Sequence, residues 1–466
     1  MKYIFMGALL LGAASPVVAQ ELIPEAVSAI KSKAADAEKQ AKNAYKKNKK
    51  NGPEIMKLAQ AFYDVKDTAN ARIYAEYATL LKPKYGPGFV MLGDLAALAE
   101  DGGKAAGFYN QAIYFDPKNP EPYIKYAQVY RKISPTEAVS KLDDLRAQRP
   151  DMAVDALKGR IFYQSNEFDK AIAEFAKADR TKMEERDLRS FAMAYYLTAR
   201  HDKALDIVEF ALKNSPRDAG FNRLAFFCNT DLKNYDKALE YADRLFNKSD
   251  SAKFTYFDYS YHGNALAGAK RHDEAIAAYK KALEQEFDSN DKKAGVLKQL
   301  SEAYSNQEQY DEAIEFYTQY LKEYSTPTAT DYAGLPQLHY YRSAKLEGDE
   351  RIASLKKADE LYAELAQKYP DADEYATFWR ARVNNAMDND QKDGLAKPYY
   401  EKIVASIGDK TEKSRADIAR LRESYLYLIS YQARVADDME AAKAAAAKLI
   451  EIDPENEVAK QVMEIQ

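Results

Sequence analysis

Apolar residues recur along this chain with a helical period, and the recurrence itself repeats. Over residues 185–216, Leu188, Phe191, Ala192 and Tyr195 fall three or four apart and share one helix face. Ala204, Val208 and Ala211 do the same for a second helix. Pro216 ends it, because its ring cannot continue a helix. The turn between two such helices has one form: Phe168-Asp169-Lys170-Ala171, His201-Asp202-Lys203-Ala204, Tyr235-Asp236-Lys237-Ala238, His272-Asp273-Glu274-Ala275 and Tyr310-Asp311-Glu312-Ala313. The aromatic or His is expected to close the turn against the preceding helix. The Asp is expected to cap the next helix by accepting from its free N–H groups. The Ala opens that helix where a neighbour must come close.

That Ala traces through Ala71, Ala105, Ala138, Ala171, Ala204, Ala238, Ala275, Ala313, Ala358, Ala396 and Ala442, in steps of 34, 33, 33, 33, 34, 37, 38, 45, 38 and 46. A near-constant step means one structural unit per step. The longer steps imply longer helices or loops on the same unit. Gly93, Ala127, Gly159, Ala192, Gly263 and Ser301 are small residues on the first helices, where axes approach to about 8–10 Å.

The pattern resembles the tetratricopeptide repeat. Leu188, Phe191, Ala192, Tyr195, Ala204, Ala211 and Pro216 match it, as do Ile55, Leu58, Ala59, Phe62, Ala71, Ala78 and Pro83. Phe89, Leu92, Gly93, Ala105, Tyr109, Ala112 and Pro117 match again, and Leu426, Ile429, Ser430, Ala442, Leu449 and Pro454 match near the end. The resemblance covers about residues 51–466. It implies an all-α, right-handed superhelical solenoid of about eleven helix pairs. The expected divisions are a regular array over 51–328, stretched repeats over 329–454 and a capping helix over 455–466 with Val458, Val462 and Ile465 on its apolar face. Lys158 stands in an apolar slot. Some family members grip acidic chaperone tails with Lys and Asn; those positions here are Met56, Gln60, Val90 and Asp94, so no such clamp is expected.

Composition narrows the classes. Of 466 residues, 46% are hydrophobic and 30% charged, with a net charge of -5; this excludes a disordered chain and disfavours a strongly basic nucleic-acid binder. Lys2 followed by the apolar run Tyr3–Ala14 and small residues to Ala19 reads as a signal peptide cleaved after Ala19. It predicts export, to a periplasm first and the extracellular space second, without a transmembrane segment. Residues 20–50 read as a Lys-rich leading helix. Eight lysines (31, 33, 39, 42, 46, 47, 49 and 50) stand against Asp36 and Glu38 over residues 31–50. They present either a contact for an anionic surface or a frayed, solvated leader, and the leader is the favoured reading.

Catalytic chemistry finds little purchase. Among four His, His201 and His272 occupy the recurrent turn position, His262 precedes Gly263, and His339 lies in the helix from Leu335 to Ala344. No pair has zinc-helix spacing. Cys228 reads as a core residue, and Gly102-Gly103 as a turn. No cofactor or metal is expected. Tyr is common, at 36. Tyr109, Tyr195, Tyr279, Tyr304, Tyr317 and Tyr362 fill repeat core positions. Tyr63, Tyr163, Tyr196, Tyr427 and Tyr431 fall one or two places away, on the first-helix face that lines the groove in the resembling family. Arg131, Arg160, Arg189, Asn222, Asn264, Lys298 and Arg434 share that face. Tyr and Arg are enriched at binding hot spots, so this face is the expected partner site. The resulting expectation is a non-enzymatic scaffold of the bacterial envelope for protein or peptide partners. A glycan-binding uptake module, with Trp379 as its only Trp, is the alternative.

Overall fold

The computed structural model describes residues 16–465, with side chains from residue 22 onward. The apolar run read as a signal peptide lies outside the described residues up to Ser15, and Pro16 opens a helix. The described residues form twenty-five α-helices and no strand. The chain divides into two compact units, residues 1–228 and 229–466.

In the first unit the pairs are Pro16–Lys31 with Ala37–Lys47 (α1, α2), Gly52–Asp64 with Thr68–Thr79 (α3, α4), Gly86–Leu98 with Gly102–Phe115 (α5, α6), Pro120–Tyr130 with Pro135–Gln148 (α7, α8), Asp155–Gln164 with Phe168–Phe175 (α9, α10) and Glu185–Leu197 with His201–Leu212 (α11, α12). The division falls inside Ala219–Asp231 (α13), and Tyr235–Asp243 (α14) follows. The second unit continues with Tyr256–Gly268 and His272–Leu283 (α15, α16), Asn290–Asn306 and Tyr310–Glu323 (α17, α18), and Ala329–Ser343 and Gly348–Lys368 (α19, α20). Asp373–Met387 and Lys397–Ile407 (α21, α22), Arg415–Arg434 and Met439–Ile452 (α23, α24), and Glu457–Glu464 (α25) complete it. From α3 to α24 these are the eleven expected pairs, an all-α solenoid. None of the described helices is long and apolar enough to cross a membrane.

One packing device repeats. All eleven alanines of the recurrent position are 0% exposed, so each marks a closed helix crossing. Opposite them, a first-helix glycine receives an aromatic ring from the second helix: Gly93 takes Tyr109, Gly159 takes Phe175, and Gly263 takes Tyr279. A Cβ on Gly159 would lie 2.6 Å from the Phe175 ring, so only hydrogen fits there. Ser301 fills the same position by donating its hydroxyl to the Ala313 carbonyl at 2.7 Å.

The turns are equally uniform. Lys66, Glu100, Asn166, Ala199, Lys233, Lys270 and Glu308 all take left-handed backbone, φ 56° to 66°. Each closes its first helix with a paired bond set: Lys66 N–H donates to the Tyr63 carbonyl and Asp67 N–H to the Phe62 carbonyl, both at 2.9 Å. This corrects the expected role of the motif Asp. Phe168, His201, Tyr235, His272 and Tyr310 are already the first residues of their helices, and the cap positions belong to Glu167, Arg200, Asn234, Arg271 and Gln309. The Asp lies one residue inside, and in three of the five turns it joins neighbouring repeats: Asp169 accepts from Arg200, Asp273 from Gln307 and Asp311 from Arg342. Side-chain caps occur instead at Asp67, Asp101, Ser134 and Asp438. Gly102 and Gly103 are likewise inside a helix, as the first two residues of α6.

The leading segment is two helices rather than one, and it is docked. Ile23, Ala26 and Ile30 of α1, with Ala37, Ala41 and Ala44 of α2, join the core of the first repeat. Tyr45 stacks on Tyr77 with ring centroids 4.3 Å apart. The stretched repeats arise from long helices: α20 has 21 residues and α23 has 20. At the end, α25 buries Ala459 and Val462, whereas Val458 and Ile465 are each 48% exposed. The capping face is therefore rotated from the expected one.

Candidate partner-binding face

The expected site residues lie on first helices, where the repeat leaves one side of each helix uncovered by its own partner helix. The structure separates them into two groups. Most of the cations and amides are engaged inside the protein, and several of the tyrosines and two arginines reach the surface.

In the first unit, Arg160 of α9 donates Nε and Nη2 to the two oxygens of Asp187 on α11, at 2.7 and 2.9 Å. Asp187 is buried, and that burial pushes its carboxyl up from the usual range despite the guanidinium beside it. Arg189 of α11 donates to Asp218 at 2.8 Å and lies over the Phe221 ring. Asn222 is 0% exposed; its amide donates to the Pro216 and Asp218 carbonyls at 3.0 and 2.9 Å. It pins its own turn and offers nothing to a partner. Asp94, at a position the family's clamp would use, accepts from Tyr109 at 2.8 Å and pairs with Lys125 of α7 at 2.6 Å.

The second unit repeats the arrangement. Lys298 of α17 pairs with Asp331 of α19 at 3.0 Å and lies over the Tyr320 ring. Asp331 also accepts from Tyr320 at 2.5 Å and caps α19 through Thr328. Although its burial disfavours charge, these bonds hold its carboxyl well below the usual range. Arg382 of α21 makes a two-pronged pair with Glu423 of α23, at 2.8 and 2.6 Å, and Tyr400 donates to the same carboxylate. Asn264 accepts from Tyr279 at 2.7 Å. Tyr427 is buried against Tyr400, centroids 4.7 Å apart, and burial pushes its hydroxyl up to about 12. Tyr427 is therefore a core residue, contrary to expectation.

These pairs form an internal ladder. A cation on one first helix meets an acid on the next or preceding one, 27 to 41 residues away in sequence. The acids Asp187, Asp331 and Glu423 were not singled out from sequence, and Asp94 was noted only as a position where the clamp is missing. The usable signal was an acid on an adjacent first helix, roughly one repeat step from each cation.

What reaches the surface is narrower. Tyr63, Tyr163 and Tyr196 are half-buried; Tyr163 packs on Phe168, and Tyr196 meets His201 edge-on. Arg131, half-buried at the end of α7, donates to the Gln128 carbonyl. In the second unit Tyr431 is half-buried beside Gly394, under Lys397, and Arg434 is exposed. Trp379, the platform of the glycan alternative, is stacked on Tyr362 and lies under Arg382. Among the described residues, no three His, Cys, Asp or Glu side chains gather as metal ligands would.

Family profiles described as tetratricopeptide repeat match residues 296–326 and 262–288. They fall on α17 with α18, and on α15 with α16. None of the curated proteins compared with the chain matches it. Among solved structures, the C-terminal part of a TPR repeat-containing protein from Cytophaga hutchinsonii is 22% identical, covering 66% of this chain and 100% of its own, at a TM-score of 0.45. A tetratricopeptide repeat protein from Parabacteroides merdae is 17% identical, covering 54% and 98%, at 0.35. PilW, described as a type IV pilus biogenesis factor, is 18% identical, covering 42% and 93%, at 0.35.

Proposed function

We propose that this chain, a tetratricopeptide-repeat protein, is a non-enzymatic scaffold of the bacterial cell envelope that holds protein or peptide partners on its first-helix faces. One observation carries the reading. The first helices keep Tyr63, Tyr163, Tyr196, Tyr431, Arg131 and Arg434 at the surface, and beneath all but Tyr63 the ladder ties the helix, α7, α9, α11 or α23, to its neighbour. Rigid aromatic and guanidinium anchors on a preorganised surface lose little entropy on binding. The envelope address rests on the apolar run after Lys2. To test the function, residues 20–466 are immobilised, exposed to detergent-solubilised envelope extract, and compared with a Tyr163→Ala, Tyr196→Ala variant. A small set of proteins lost from the variant supports the scaffold; an identical profile from both overturns this face as the site.

The docked α2 adds a second contact. Lys33, Lys39, Lys42, Lys46, Lys47, Lys49 and Lys50 are exposed and make no ion pair; Lys31 alone meets an acid, Asp64 at 3.9 Å. An ordered helix bearing unpaired lysines fits an anionic lipid surface, at about 1 kcal/mol per lysine. Co-sedimentation with phosphatidylglycerol vesicles, falling with salt and with Lys→Gln changes at 39, 42, 46 and 47, is expected. Equal binding to phosphatidylcholine vesicles would refute it.

A further inference from the structure

A groove of about 590 Å³ lies between α14 and α16, floored by α15. Leu239, Leu266, Ala277 and Ala278 contribute its apolar walls. Its corner is aromatic. Phe246 stands 4.9 Å from Phe254 and 5.4 Å from Tyr259, centroid to centroid. All three rings are only half-buried, so their remaining faces are uncovered. Phe246 reaches this corner because α14 ends in a π-turn, Arg244–Lys248. Such a turn adds a residue per helical turn and frequently marks a functional site.

The charges around the groove are settled within the protein, with one exception. Asp243 accepts from Lys248 and from Asn247. Arg271 donates to both oxygens of Glu274, at 2.6 and 2.5 Å. His262 packs on Phe246, centroids 5.2 Å apart; burial, with Arg271 and Lys281 nearby, pulls its pKa down to about 4, so it is neutral. Lys281 is exposed and makes no ion pair. An aromatic recess therefore sits beside a single uncompensated ammonium.

We propose that this groove takes the C-terminal residue of a peptide, its apolar side chain against Phe246, Phe254 and Tyr259 and its carboxylate at Lys281. The volume falls in the range of small-ligand pockets, and one ammonium matches one carboxylate. The groove is open to solvent, so the rest of the peptide has a way out. The proposal rests on the protein-binding reading above, but it uses a different surface.

The test is calorimetric titration of the full chain with a short peptide ending in phenylalanine, against the same peptide with a C-terminal amide. The free acid is expected to bind about tenfold more tightly than the amide, the worth of one charge-assisted hydrogen bond. Lys281→Gln removes that difference while leaving amide binding unchanged. Ala277→Phe, at an exposed wall position, fills the groove and abolishes both. Equal affinity for acid and amide, or wild-type binding by both variants, overturns the proposal. Acetyl-phenylalanine binding as tightly as the peptide would also overturn it, by making the site one for free aromatic acids. Envelope partners lost only with Tyr163 and Tyr196 would leave the scaffold reading intact while the groove fails, so the two failures are distinguishable.

Discussion

At the residue scale, this protein trades side chains against close approach. Gly159 admits the Phe175 ring because it has no Cβ, and Ala204 lets a helix cross because it has only one. Lys158 shows the reverse case. It fills an apolar slot with an ammonium that burial alone would pull down, yet pairs with Asp143 and Glu174, each at 3.0 Å, hold it above its ordinary value. Ala199 is the clearest local misfit, with a Cβ in left-handed backbone at φ 56°. Ala199→Gly is expected to stabilise by about 0.5–1 kcal/mol, read as a higher urea midpoint. Two histidines set a pH dependence. Burial, then neighbouring cations, lower His262 and His339 to about 4. A lowered histidine contributes fully above its unfolded pKa of about 6.5 and loses that contribution as pH falls toward 4. The urea midpoint should therefore drop between pH 6.5 and 4.5, and a His262→Gln, His339→Gln variant should drop less. Asp187, raised by burial, acts in the opposite direction. The small-residue positions were legible in the sequence because they recur. The buried pairs were less so, because Asn222 and Arg160 have the same residue types whether they face a partner or a neighbouring helix.

At the element scale, helix position followed from period and turn chemistry, and helix extent did not. The alanine trace located every second helix, but Ala358 lies in the third turn of α20 and Ala396 just before α22. Long polar first turns such as Gly348–Ser354 carry little apolar signal, so the extra length showed only as a wide step. The leading pair was hidden for another reason. Its buried face is largely alanine, and among lysines that face reads as a solvated helix. The crossing itself is testable. Ala204→Leu should overpack α12 and cost about 1–3 kcal/mol, whereas Glu209→Leu, exposed on the same helix, should be near neutral in thermal denaturation. Equal effects would mean the register is wrong.

At the scale of the whole molecule, local links carry the structure. Turn, ring-in-glycine, crossing alanine and cation-to-acid rung each join a helix to its neighbours, as expected where a repeat touches only adjacent repeats. Such arrays need not unfold in one step, so probes placed in the two units should report separate midpoints. One repeated unit, from α3 to α24 with a docked pair before it, builds the described chain. Hydrogen-exchange mass spectrometry of residues 20–466 tests it most directly. Slow exchange is expected over both helices of each pair and over α2, broken by fast exchange at turns near Lys66, Glu100, Asn166, Ala199, Lys233, Lys270 and Glu308. Protection without that period, or α2 exchanging as fast as an unstructured chain, would contradict the account.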